Sequence, residues 1–295
     1  MSFDLNAYLG SRKKDVEKAL QYHLETYTPS PPTLRESMSY SLMAGGKRLR
    51  PILCIAASEA VGGTADLAMD AACAVEFIHT YSLIHDDLPA MDDDDFRRGR
   101  PTNHKIYGEA IAILAGDALC AEAFRVLTKR RHRHPERVAD VVFELGCAAG
   151  ANGMVGGQVI DIEATGQQID QAHLENLHRA KTGELLLFAV RSGAILGGAN
   201  PDQLERLTEY GRALGLAFQI VDDCLDITAD LQTLGKDPGS DKEAGKTTFV
   251  DLLGVEAAKQ YARNVMARGT EALAPLGGAA DALRALATYT VERDR

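Results

Sequence analysis

Cysteine is sparse and scattered. The five residues Cys54, Cys73, Cys120, Cys147 and Cys224 include no pair at C-x-x-C spacing, which excludes zinc-ribbon and thioredoxin-like motifs. An odd number of apolar-flanked thiols suits a reducing compartment. No stretch reaches the roughly 18 apolar residues of a membrane span, and the first twenty residues lack the apolar core of a signal peptide. A cytoplasmic protein with no membrane span is expected. Basic residues are in deficit, 32 Lys and Arg against 42 Asp and Glu, for a formal net charge of −10. That argues against general nucleic-acid binding, so no nucleic-acid partner is expected. Alternating β-branched runs are also missing, and no convincing strand can be drawn.

What remains is helical spacing. Residues 67–85, 109–127, 184–196 and 207–227 are apolar nearly all round and read as buried helices. Pro135 and Pro201 fall where a first helical turn would begin, and Gly45-Gly46 and Gly62-Gly63 read as helix ends. Residues 1–20 read as an amphipathic helix, and the Gly-rich stretch 235–248 as a loop. With 45% hydrophobic and 25% charged residues over 295 positions and no dividing linker, one all-α domain of about ten helices over residues 1–295 is expected.

Two acidic clusters interrupt this apolar pattern. Residues 85–100 read HDDLPAMDDDDFRRGR, with Asp at 86, 87, 92, 93, 94 and 95. Asp86 and Asp87 close an apolar helix at the negative end of its dipole, where a carboxylate is disfavoured unless a cation is present. An EF-hand is excluded, because counting from Asp87 the sixth residue is Asp92 instead of Gly and the twelfth is Arg98 instead of Glu. An HD-type metal phosphohydrolase, built on His85-Asp86 with His79, His104 and His178 recruited from elsewhere, stays open as a distant alternative. The second cluster, FQIVDDCLD at 218–226, places Asp222 and Asp226 one turn apart on one helix face, about 6 Å along the axis. Two such clusters predict facing carboxylate walls that bind Mg²⁺ and a polyanion such as diphosphate.

Basic residues complement them. GGKRLRP at 45–51 sets Lys47, Arg48 and Arg50 at a helix-to-helix turn, a pattern for an anion site. Arg97, Arg98 and Arg100 follow the first cluster, and paired arginines suit bidentate phosphate recognition. The 239–248 loop mimics a P-loop, but Gly239 and Gly245 are separated by five residues where four are needed, and no strand precedes it. Nucleotide binding there is rejected. Lys236 and Lys246 remain candidate phosphate contacts.

DDLPAMD with DDDFRRGRPTNH, the later DDCLD, GGKRLR, His79, GGQVID at 156–161, KTG at 181–183, Phe218-Gln219 and the GK…GK loop occur in an order that resembles the trans-isoprenyl diphosphate synthases. The resemblance covers about residues 40–250. It implies the all-α isoprenoid synthase fold around a central cavity, a homodimer, three Mg²⁺ ions, and head-to-tail condensation of isopentenyl diphosphate with an allylic diphosphate. It further implies that Asp86 and Asp92 ligate two ions and Asp222 with Asp226 the third. Arg97, Lys181, Lys236 and Lys246 would hold the allylic diphosphate. Gly46, Lys47, Arg50, His79 and Arg98 would hold isopentenyl diphosphate, and Thr182 and Gln219 would line the reacting carbons. Tyr81, five residues before Asp86, and its small neighbour Ser82 resemble the chain-length floor of bacterial-type farnesyl diphosphate synthases, with geranylgeranyl or geranyl diphosphate as the alternative product. Terpene cyclases and non-catalytic subunits are disfavoured because both aspartate motifs are intact.

Overall fold

A computed structural model describes residues 3–26, 30–129, 134–228 and 245–293. Helix α1 (Leu5–Glu25) is capped by Asp4, whose carboxylate accepts from the Ala7 amide at 3.0 Å. Helices α2 (Pro32–Leu42), α3 (Leu49–Ala60) and α4 (Ala65–Asp86) follow, then α5 (Asn103–Tyr107), α6 (Glu109–Lys129), α7 (Pro135–Ala149), α8 (Met154–Ala164) and α9 (Gln171–His178). A single π-turn, Arg179–Gly183, joins α9 to α10 (Glu184–Gly197), and α11 (Pro201–Thr228) is the longest helix. The chain ends in α12 (Phe249–Leu253), α13 (Val255–Ala272), a 3-10 stretch (Ala274–Ala280) and α14 (Asp281–Glu292).

The four apolar segments read from the sequence are α4, α6, α10 and α11. They form the centre, with α4 packed on α3, α6 and α10, and α10 on α11. Ala68, Ala71, Ala72, Cys73 and Ala74 of α4 have no exposed surface, so small side chains let its neighbours approach from several sides. Fourteen α-helical segments occur among the described residues, against about ten expected, and the all-α class holds. The excess includes the five-residue α5 and α12, too short to show a period.

One expectation is corrected. A two-residue hairpin, β1 (Phe96–Arg97) paired antiparallel with β2 (Arg100–Pro101), follows the first acidic cluster. Its turn holds Arg98 and Gly99 at φ 54° and 72°, the left-handed pair of a type I′ turn. By length and composition, two windows also pass for membrane spans, Ala65–Asp86 and Pro135–Ala164. The first is α4, buried in the core, and the second is broken at 150–153 into α7 and α8.

Candidate active site

The end of α4 folds back on itself. The Asp92 amide donates to the Asp86 carbonyl at 2.9 Å, and the Asp93 amide to the Leu88 carbonyl at 3.1 Å, which satisfies helix-end carbonyls and brings Asp92 round to Asp86. Burial pushes the Asp86 carboxyl up to about 6, the Asp92 charge adds to the rise, and Lys181, Arg97 and Lys246 oppose it. Asp87 is likewise raised to about 6 by burial, but its oxygen accepts from Arg97 Nε at 2.6 Å. Arg97 also reaches Asp94 at 3.3 Å. The two consecutive aspartates therefore do different work: Asp86 faces Asp92 and the lysines, and Asp87 anchors the arginine hairpin. Partly dehydrated oxygen donors that repel each other fit a hard divalent cation.

Across a cleft of about 370 Å³ lined by Met91, Asp92, Gln158, Asp161, Thr165 and Lys246 lies the lysine wall. Lys181 and Thr182 sit in the π-turn, a helical irregularity common at functional sites. Lys181 Nζ donates to Asp161 at 2.6 Å, and Lys246 stands 3.5 Å from the same oxygen. Burial alone would raise the Asp161 carboxyl, but the two ammonium groups hold it below the usual carboxylate range. Asp161, the last residue of the GGQVID segment, is the shared partner of both lysines. The Thr182 hydroxyl donates to Gln219 Oε1 at 2.8 Å, tying the π-turn to α11. Gly157 of α8 permits this arrangement, since a Cβ there would lie 2.2 Å from the Lys181 backbone nitrogen. Lys236 lies outside the described residues.

On α11, Asp222 accepts from Arg293 at 2.6 Å, and Arg293 also donates to the Phe218 carbonyl at 3.0 Å with its guanidinium 4.0 Å from the Phe218 ring centre. Asp226, one turn on, is 4% exposed. Asp223, which sequence reasoning passed over, is buried and accepts from the Phe249 amide at 2.8 Å and from His178 at 3.3 Å. It holds the start of α12 against α11.

The third wall is basic. Arg50 is half-buried, its Nε shielded from solvent with no hydrogen-bond partner among the described residues, and burial lowers its pKa. His79 is driven well below 6.5 by burial and then by Arg50, Arg98, Arg97 and Arg48. Arg98 donates to the Gly45 carbonyl. The Lys47 ammonium stands 5.6 Å from the Tyr289 ring centre. Arg48 departs from the anion role expected for the basic turn. At φ 54° it turns inward, 3% exposed, bonding Glu76 at 2.5 Å and the Leu42 carbonyl at 2.6 Å.

Tyr81 is half-buried on α4, its ring edge-on to His85 at 5.6 Å, its hydroxyl pushed up to about 12 by burial. Ser82 donates to the His79 carbonyl at 2.9 Å. The phosphohydrolase alternative fails here. His85 lies 3.0 Å from the Ile113 carbonyl, His178 contacts Asp223, His104 contacts Thr102, and His79 stands among arginines.

The family profile described as Polyprenyl synthetase matches residues 31–276. A dimethylallyltranstransferase of Fischerella ambigua is 49% identical over 99% of this chain and 84% of its own length. A chloroplastic geranylgeranyl pyrophosphate synthase of Catharanthus roseus is 48% identical over 99% and 82%. The crystal structure of an FPP/GFPP synthase from Zymomonas mobilis superposes with a TM-score of 0.86 at 38% identity, covering 97% of this chain and 98% of that one.

Proposed function

Because the chain belongs to the polyprenyl synthetase family and is a trans-prenyltransferase of Mg²⁺-dependent type, we propose that it condenses isopentenyl diphosphate with dimethylallyl and geranyl diphosphates and stops at (E,E)-farnesyl diphosphate. The observation that carries the chain-length reading is Tyr81. It lies five residues before Asp86, about 7.5 Å down α4 from the carboxylates, half-buried and packed against His85. A phenol ring there suits the floor of a cavity long enough for fifteen carbons. Geranylgeranyl diphosphate is the second reading, favoured by the name of the Catharanthus roseus relative.

Asp86, Asp92 and Asp222, with Asp226 behind it, would hold the Mg²⁺ ions, three with substrate bound. The ions supply neutralisation of the departing diphosphate charge. Lys181 and Lys246, aligned by Asp161, grip the allylic diphosphate, and Arg97 is held beside it by Asp87. Thr182 and Gln219 point fixed dipoles at the positive charge that develops on the allylic carbons. Lys47, Arg50 and Arg98, with Gly46 and His79 beside them, hold isopentenyl diphosphate without a metal, which suffices for a substrate that does not ionise. The protein works as a cytoplasmic homodimer formed of single-domain chains. In support of a dimer, Phe143 on α7 is 73% exposed, and Leu114, Val159 and Ile162 on α6 and α8 are also exposed, an apolar set that a second copy would cover. The test is product analysis with Mg²⁺, isopentenyl diphosphate and each allylic primer. C15 product supports the reading, and C20 product shifts it to the second.

A further inference from the structure

We propose that Asp93, Asp95 and His104 form a second metal site, separate from the carboxylates assigned to diphosphate chemistry, for a first-row divalent ion of the zinc class. One ligand atom of each residue lies within 4.8 Å of those of the other two. Ligands at about 2.0–2.2 Å from one zinc ion stand roughly 3–4 Å apart, so small side-chain movements close the set.

The decisive feature is the histidine. His104 is 7% exposed, and its Nε2 is buried with no hydrogen-bond partner among the described residues. Its other nitrogen, Nδ1, lies 3.2 Å from Thr102 Oγ1. That hydroxyl donates to the Asp94 carbonyl at 2.8 Å, so its proton is already used. Nδ1 must then carry the hydrogen and donate to Thr102. This tautomer leaves a bare lone pair on Nε2, the arrangement by which an outer hydrogen bond prepares an imidazole for a metal. A buried acceptor without a donor is costly, and the carboxylates of Asp93 and Asp95, within 4.8 Å of a ring nitrogen of His104, supply no proton donor.

Imidazole selects the ion. Mg²⁺ takes oxygen ligands and keeps its waters, whereas zinc and its neighbours accept one nitrogen with two carboxylates. The competing cation is Lys105, whose ammonium is 2.6 Å from Asp95. That pair is exposed, and an exposed ion pair is weak, so a doubly charged ion displaces it readily. The site would also have a mechanical consequence. Asp93 and Asp95 precede β1 and His104 follows β2, so one ion would pin both feet of the hairpin that carries Arg97 and Arg98.

The test uses chelator-treated full-length protein with Zn²⁺ or Co²⁺ and no diphosphate. Equilibrium dialysis counts bound metal, Co²⁺ absorption reports ligand type, and histidine ring ¹⁵N spectra report His104 directly. The variants are His104→Asn, which keeps a donor for Thr102, the exposed double variant Asp93→Asn/Asp95→Asn, and Asp86→Asn/Asp92→Asn. The expected result is a Zn²⁺-induced shift of His104 Nε2 in the wild type. One equivalent of metal should be lost in His104→Asn and in Asp93→Asn/Asp95→Asn but retained in Asp86→Asn/Asp92→Asn. Thr102→Val should weaken Zn²⁺ binding about 10–100-fold. An unmoved His104 resonance, or uptake lost only with Asp86 and Asp92, overturns the proposal. Should His104→Asn fail to fold, the wild-type spectrum and the aspartate variant still decide.

Discussion

The guanidinium of Arg98 occupies the space in which a side chain on Gly46 would begin: a Cβ there would meet Arg98 Cζ at 2.9 Å. Gly46 also has φ 112°, a conformation that L side chains rarely adopt. The two residues, from distant parts of the chain, share one surface. Gly46→Ala is expected to push Arg98 away and raise KM for isopentenyl diphosphate about tenfold or more, with a smaller change for the allylic substrate. Steady-state kinetics with each substrate varied separately check this, and equal changes in both KM values would refute the pairing.

Tyr81→Ala removes the ring beneath Asp86 and is expected to shift the product from C15 to C20 or longer, read by chromatography of the dephosphorylated products. An unchanged spectrum would free Tyr81 from the chain-length role.

Lys181 and Asp161 form one unit, so their variants should rank. Asp161→Asn leaves both lysines in place but unaligned, and is expected to lower kcat roughly ten- to a hundredfold. Lys181→Met removes the proposed phosphate contact itself and should cost more. Single-turnover rates decide, and a larger loss in Asp161→Asn would contradict the bracing role.

Gly157→Ala drives a methyl into the Lys181 backbone, a clash that no rotamer relieves. Overpacking of this kind costs about 1–3 kcal/mol. Thermal unfolding should show a lower Tm together with reduced turnover, because the π-turn moves.

His79 gives a pH prediction. Burial and four arginines hold its pKa well below 6.5. A base whose folded pKa lies below its unfolded value adds stability above the unfolded pKa, and that stability is lost as pH falls below about 6.5. An anion among the arginines reverses the balance, so binding isopentenyl diphosphate should draw a proton onto the ring. Histidine NMR at pH 6 should find His79 neutral in the free protein and protonated to a greater extent with ligand; a ring already charged without ligand would contradict the crowding.

The central helices were legible because α4, α6, α10 and α11 are long and apolar, and both aspartate motifs announced their chemistry by sitting at the ends of such helices. What stayed hidden was local. Consecutive aspartates look alike in a sequence, and only the fold separates Asp86, whose charge is felt by Asp92, Lys181 and Lys246, from Asp87, which holds Arg97. Among Lys47, Arg48 and Arg50, the left-handed backbone at Arg48 sends the middle one inward to Glu76, a choice that no charge pattern encodes. The hairpin depends on positive φ at Arg98, and arginine gives no hint of that. Asp223 was overlooked because its partner is a backbone amide twenty-six positions later.

The π-turn at Arg179–Gly183 has an implication for altering this protein. A widened turn accommodates one residue more than regular α-helix, and each residue rotates the helix by about 100°. Deleting Ala180 would remove the widening while turning the ammonium and hydroxyl of the KTG segment by about 100° relative to α9. The sequence there is thus fixed in length as well as in kind, and a shortened chain could fold, even gain rigidity, and still be unable to grip its substrate.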